Sequence, residues 1–110
     1  ALSAVALALP AHTLAQSWPT KPIKIIAPFP PGGFTDVVTR RVGAKLASEL
    51  GQSVVVENKP GAGTNIGTEN VVQSEPDGYT LLMGTSSLAI NRTLYQKLRF
   101  DGTYATTATP

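Results

Sequence analysis

The run Ile25-Ile26-Ala27-Pro28-Phe29-Pro30-Pro31-Gly32-Gly33-Phe34-Thr35-Asp36 decides how this chain folds. A β-branched apolar stretch ends in a Pro/Gly turn, and a Thr and an Asp then stand where a helix should open. The spacing predicts a strand-loop-helix unit. The first N–H groups of such a helix lack intrahelical partners and carry partial positive charge, so the mouth of the unit suits an anion.

Working outward, the two prolines of Trp18-Pro19-Thr20-Lys21-Pro22 exclude a helix and give an extended lead-in. Residues 23–27 form the first strand. Residues 34–50 form the strongest helix, with Phe34, Val38, Val42, Leu46 and Leu50 recurring every fourth position as its apolar face and Gly51 as its stop. Gly43 inside it is unfavourable by about 1 kcal/mol relative to Ala. Residues 53–57 form a second strand, whose unbroken Val-Val-Val suits cover on both faces. A second helix spans 65–73, a third strand 79–83, and a third helix begins at Leu88 or Asn91 and runs to Leu98. The alternation β-α-β-α-β-α predicts an α/β fold with an open parallel sheet and right-handed crossovers. In such sheets ligands bind beyond the carboxyl ends of the strands. The loops at 28–36, 58–65 and 84–87 all fall there.

Each loop has a structural and a binding interpretation. In the first, Thr35 or Asp36 can cap the helix, while the glycines let a ligand approach the main chain. In the second, Asn65 can serve as an N-cap. Gly61-Ala62-Gly63-Thr64-Asn65-Ile66-Gly67 resembles a dinucleotide fingerprint, but its last glycine comes one residue late and the required acid is missing from the end of the next strand. No Gly-Lys-Ser/Thr follows either loop, so a phosphate-binding P-loop is not supported. In the third, the Gly84-Thr85-Ser86-Ser87 hydroxyls can cap a helix or donate to a carboxylate.

Composition narrows the chemistry. The 110 residues allow one domain at most. Residues 1–15 read as a signal peptide clipped at its start, apolar through Pro10 and cleaved after Ala15; a short buried helix is the alternative. The chain has no Cys, and its single His, His12, lies in that segment. A serine nucleophile would therefore lack an imidazole base, and thiolate or histidine metal sites are excluded. No catalytic residue, metal or cofactor is expected. The net charge of +2 comes from scattered basic residues without interleaved aromatics, so nucleic acid is not an expected partner. Asn91-Arg92-Thr93 matches a glycosylation sequon and is read as chance. Residues 102–110 are a low-complexity Thr/Ala tail, expected to be irregular.

From Trp18 to Asp101 the chain closely resembles the extracytoplasmic solute-binding proteins of tripartite tricarboxylate transporters, the Bug-type receptors. The resemblance rests on Trp18-Pro19, residues 26–33 with Thr35-Asp36, residues 54–63 with Asn65-Ile66-Gly67, residues 76–81, Gly84-Thr85, and Leu94-Tyr95 with Phe100-Asp101. It implies a type II periplasmic binding fold of two lobes, of which residues 16–101 would be part of the first. It implies capture, without turnover, of a small carboxylate that is passed to membrane permease subunits. After signal cleavage the product would be periplasmic, with no insertion into the membrane. Carried over by position, the ligand-binding residues are Phe29, Pro31, Gly33, Thr35, Asp36, Asn65, Thr85 and Ser86. Phe34 stands where the family often has a small residue, so it would narrow the pocket or turn into the core. The family's chains are about three times longer, and the tail replaces their expected continuation, so the chain reads as truncated. A fragment without function of its own is the second interpretation, and a small nucleotide-binding α/β protein the third.

Overall fold

The computed structural model describes residues 17–97. The expected signal segment at 1–15 and the tail at 102–110 lie outside the described residues. The elements run β1 (Ile23–Ala27), α1 (Phe34–Leu50), β2 (Val54–Asn58), a 3-10 turn (Ala62–Thr64), α2 (Asn65–Val72), β3 (Thr80–Leu82) and α3 (Ser87–Leu94). The strands form one parallel sheet in the order β2-β1-β3. This is the open α/β sheet expected from the alternation of elements. β1 and α1 have the bounds that their sequence signals gave. The other elements shift at their ends, and α3 starts earlier and stops at Leu94, where Tyr95 turns extended.

The core is centred on β1, the middle strand, where Ile23, Ile25, Ile26 and Ala27 are buried. The chain crosses from β1 to β2 in one direction and from β2 past β1 to β3 in the other. Right-handed crossovers of opposite direction place their helices on opposite faces. α1 lies on the Ile25 face: a Cβ built at Gly43 would meet Val54 Cγ1 at 3.3 Å, Val56 Cγ2 at 3.4 Å and Ile25 Cδ1 at 3.7 Å. α2 comes in from the other side, and a Cβ at Gly67 would meet Pro28 Cβ at 2.7 Å and the Lys59 carbonyl at 2.9 Å. At Gly67 the helix approaches its neighbour too closely for any side chain, whereas at Gly43 a methyl group would fit tightly and nothing larger would. Gly43 is thus a close-packing position and not merely a weak point in the helix.

Two expectations about faces are corrected. α1 does not bury the stripe that begins at Phe34; its buried positions are Asp36, Thr39 and Gly43, and Phe34 is 86% exposed. A four-residue spacing rotates about 40° per step around a helix of 3.6 residues per turn, so five such positions fan over about 160° and cannot share one narrow contact. Phe34 therefore does not turn into the core. Among the described residues β2 lies at the edge of the sheet, and Val55 on the face away from α1 is 54% exposed. A Val run does not distinguish an edge strand from a central one.

Two buried threonines are satisfied within their own helices. Thr39 Oγ1 donates to the Thr35 carbonyl (2.7 Å) and Thr68 Oγ1 to the Thr64 carbonyl (2.9 Å), so each helix turns a self-bonded threonine toward the sheet. Gly51, with φ 67°, ends α1 by donating its N–H to Ala47. At the amino end of the sheet, Tyr79 anchors the lead-in. Its hydroxyl accepts from the Thr20 N–H (2.8 Å), and Lys21 Nζ sits 4.5 Å from its ring centroid. Among the described residues, no helix is long and apolar enough to cross a membrane.

Candidate ligand site at the strand tips

Strand order 2-1-3 creates a switch point between β1 and β3, where the chain reverses its direction of travel across the sheet, and open parallel sheets take their ligands beyond the carboxyl ends at such a point. The loop after β1 and the loop after β3 leave from the two sides of this point. Main-chain bonds hold the tips level. Lys59 N–H donates to the Ala27 carbonyl and Met83 N–H to the Ile26 carbonyl, both at 2.9 Å.

The amino terminus of α1 opens here. Its N-cap residue is Gly33, no side chain caps it, and the first intrahelical bond runs from Val37 N–H to the Gly33 carbonyl (3.1 Å). The N–H groups of Phe34, Thr35 and Asp36 precede that bond. The expected cap by Thr35 or Asp36 is therefore corrected: both stand inside the helix, one turn too late. The Asp36 carboxylate instead reaches back to accept the Gly32 N–H at 2.9 Å. It also accepts from Arg40 Nε (3.1 Å to each oxygen) and from Asn58 Nδ2 (2.9 Å). The Gly32 N–H, then Asn58 and the Arg40 guanidinium, hold its pKa down at about 2, against 3.8 for an ordinary carboxyl.

The second and third loops are tied together by another polar cluster. Asn91 of α3 is buried and donates through Nδ2 to the Gly63 carbonyl (2.6 Å) and to Asn65 Oδ1 (2.8 Å). Thr64 Oγ1 pairs with Ser87 Oγ (3.0 Å), which also pairs with Thr85 Oγ1 (2.8 Å). Asn65 is not the N-cap of α2, as one interpretation of the sequence had it; Thr64 holds that position at φ 81°, without a side-chain cap. This β-branched residue sits in the left-handed region, a strained conformation that the Ser87 and Asn91 contacts over-determine. The Asn91 amide is buried and bonded, which closes the apparent sequon to a glycan in the folded chain.

The eight residues expected to bind thus fall at one edge of the sheet, in two groups. Pro31, Gly33 and Ser86 are exposed on the loop crests, with Phe29, Thr35 and Thr85 half-buried beside them. Asp36 and Asn65 are buried, and their carboxylate and amide oxygens are engaged by protein groups. The sequence singles out neither Arg40 nor Asn58 as a site residue, offers Ser87 only among the hydroxyls of the third loop, and shows Asn91 only in a chance sequon. Arg40 leaves a signal as the i,i+4 partner of an Asp. The cations nearest the loops are paired, Arg40 with Asp36 (3.1 Å) and Lys59 with Glu57 (3.0 Å). These pairs leave backbone N–H groups and hydroxyls as the means of meeting an anion. Among the described residues no cluster of His, Cys, Asp or Glu could hold a metal ion.

The open parallel sheet whose loops meet at a switch point is shared with part of a lobe of solved periplasmic binding proteins. The chain belongs to the tripartite tricarboxylate transporter family of receptors, whose sequence pattern matches residues 38–108. It is 47% identical over 88 residues to the protein BugT of Bordetella pertussis, covering 78% of this chain and 27% of that one. A solved periplasmic transporter superposes with a TM-score of 0.75 at 45% identity, over 78% of this chain and 29% of its own. The protein MatC of Rhodopseudomonas palustris, solved with bound malate, superposes with a TM-score of 0.73 at 34% identity, over 77% of this chain and 29% of its own. The chain spans about a third or less (31% and 27%) of the curated relatives it matches.

Proposed function

We propose that the described residues form part of the first lobe of an exported, periplasmic receptor that captures a small carboxylate and delivers it, unchanged, to the membrane subunits of a tripartite tricarboxylate-type transporter. Residues 1–15 act as the export signal, and residues 16–101 belong to the lobe. The observation that carries the proposal is the convergence of three loops on a switch point where α1 opens without a side-chain cap. A carboxylate placed there accepts from the Phe34 and Thr35 N–H groups and gains from the helix dipole. The Ser86 and Thr85 hydroxyls stand on the facing loop as further donors. Phe29, Pro31 and Gly33 supply the wall and the main-chain approach, and Asn65 shapes the far side. Asp36 belongs to the site as the anchor of the first loop, because a carboxylate held by three donors has no reason to meet a second anion. Recognition by dipoles suits a receptor that must release its ligand, since the local ion pairs stay closed on themselves.

The test is isothermal titration of the full-length gene product with a panel of di- and tricarboxylates that includes malate. Binding of at least one acid, unchanged when recovered, is expected. If no acid on the panel produces heat or thermal stabilisation, the reading is wrong. Binding of NAD or ATP instead would move the chain to the nucleotide-binding alternative.

A further inference from the structure

We propose that Asn58 is a positioning residue of this acid site, acting through Asp36 and the Phe29 carbonyl to set how the α1 terminus is presented. The proposal rests on the function proposed above. Asn58 is the last residue of β2 and pairs in register with Ala27, the last residue of β1. Its side chain leaves the sheet at the height where the first loop begins. Nδ2 donates to the Phe29 carbonyl (3.1 Å) and to Asp36 Oδ1 (2.9 Å), while Oδ1 accepts from Arg40 Nη2 (3.0 Å). One amide thus fastens the start of the loop, the first turn of α1 and the guanidinium that neutralises Asp36. These bonds span 29 and 22 residues of sequence, so they fix tertiary placement rather than local conformation.

The arrangement has a directional consequence. Asp36 holds the Gly32 N–H, which commits that amide and leaves the following N–H groups at the mouth. Without Asn58, Asp36 keeps Arg40 and Gly32 but loses its tie to the sheet, and the loop can shift relative to the β3 tip. An N–H donor displaced by a fraction of an ångström from a carboxylate oxygen loses most of its directional strength. Asn58 touches the ligand only through the loop it holds.

The experiment uses the full-length receptor, with malate as probe, in wild-type form and as Asn58→Ala and Asn58→Asp. Asn58→Asp keeps the volume and the acceptor for Arg40 but lacks both N–H donors and puts a second carboxylate beside Asp36. If Asn58 were only a space-filler, the Gly32 amide would exchange in Asn58→Asp as in wild type and Asn58→Ala would keep wild-type affinity, whatever the added charge of Asn58→Asp does to binding of an anion. The positioning role predicts that both variants lose about tenfold in affinity, the equivalent of one lost hydrogen bond. It also predicts faster amide exchange at Gly32 in both, with the β1 amides of Ile25 and Ile26 as protected as before. Wild-type binding with unchanged affinity in both variants overturns the inference and spares the proposed function. If wild type binds no malate or other panel acid, the proposed function fails. The exchange data then judge Asn58 alone, with unchanged Gly32 exchange overturning its role and faster exchange supporting it.

Discussion

Asp36 shows how one side chain can look like a binding group and serve as an anchor. Its place after a Gly-Gly turn made it a candidate cap and the family resemblance made it a ligand contact, and neither reading tied its carboxylate to Gly32, Arg40 and Asn58. It points back instead, because Gly32 offers an N–H behind it, Arg40 lies one turn ahead and Asn58 reaches across from β2. The pH behaviour follows from this geometry. Its folded pKa, about 2, lies below the ordinary 3.8, so its stabilisation is complete above the unfolded value and is lost as pH falls through the folded one. Glu57 is lowered as well, by Lys59 and then Lys24, and contributes to the same acid limb. We expect the urea midpoint of the receptor to fall as pH drops from about 4 to about 2. Asp36→Asn should lower the midpoint at neutral pH and flatten that limb without removing it. Midpoints measured at several pH values check this, and an unchanged acid limb in the variant would contradict the assignment.

Elements meet at residues that carry no side chain or only a small one. The Gly43 contact distances imply that Ala gains about 1 kcal/mol in helix propensity and returns a similar amount in crowding, so Gly43→Ala should be close to neutral. Gly43→Leu has no such room and should cost about 1–3 kcal/mol. Gly67→Ala should cost as much already, because the atoms it meets include the Lys59 main-chain carbonyl and the rigid Pro28 ring. Urea midpoints rank the three variants, and a neutral Gly67→Ala would show that α2 can move away from β1. The two helices differ in what the sequence revealed. α1 was legible because apolar period, turn and stop agree over 17 residues, yet its buried face was misread, since glycine and threonine carry the contact and carry no apolar signal. α2 and α3, at 8 residues each, are placed by polar bonds between them. A motif of Asn, Ser and Thr cannot announce which partners it will find across the chain, so Asn91 was legible only as a chance sequon. Asn91→Ala leaves the Gly63 carbonyl and Asn65 Oδ1 without their donor, a loss of about 1–3 kcal/mol. Amide exchange should then rise across α3 while β1 and β2 keep their protection.

At the scale of the molecule, the balance between core and surface decides what these residues can do alone. Among the described residues the buried apolar core consists of four side chains, all on β1, while Phe34, Leu94, Ile90 and Val55 are each more than half exposed. Apolar surface of this extent on so small a sheet signals a need for further protein. The relatives' greater length is consistent with that need, since the matched region is 31% of one and 27% of another. A receptor that encloses its ligand between lobes excludes water from the charged group, and part of one lobe does not. We therefore expect the segment 17–97, expressed by itself, to bind ANS and to unfold in urea with a broad transition of low midpoint. Full-length receptor should show a sharp transition, raised further by a bound acid. Whichever acid of the panel the full receptor binds, the isolated segment should bind it at least about a hundredfold more weakly, the equivalent of about 2.7 kcal/mol of lost enclosure. Equal affinity in the two would mean that the strand-tip loops alone are the binding site, and that the switch point needs no second wall.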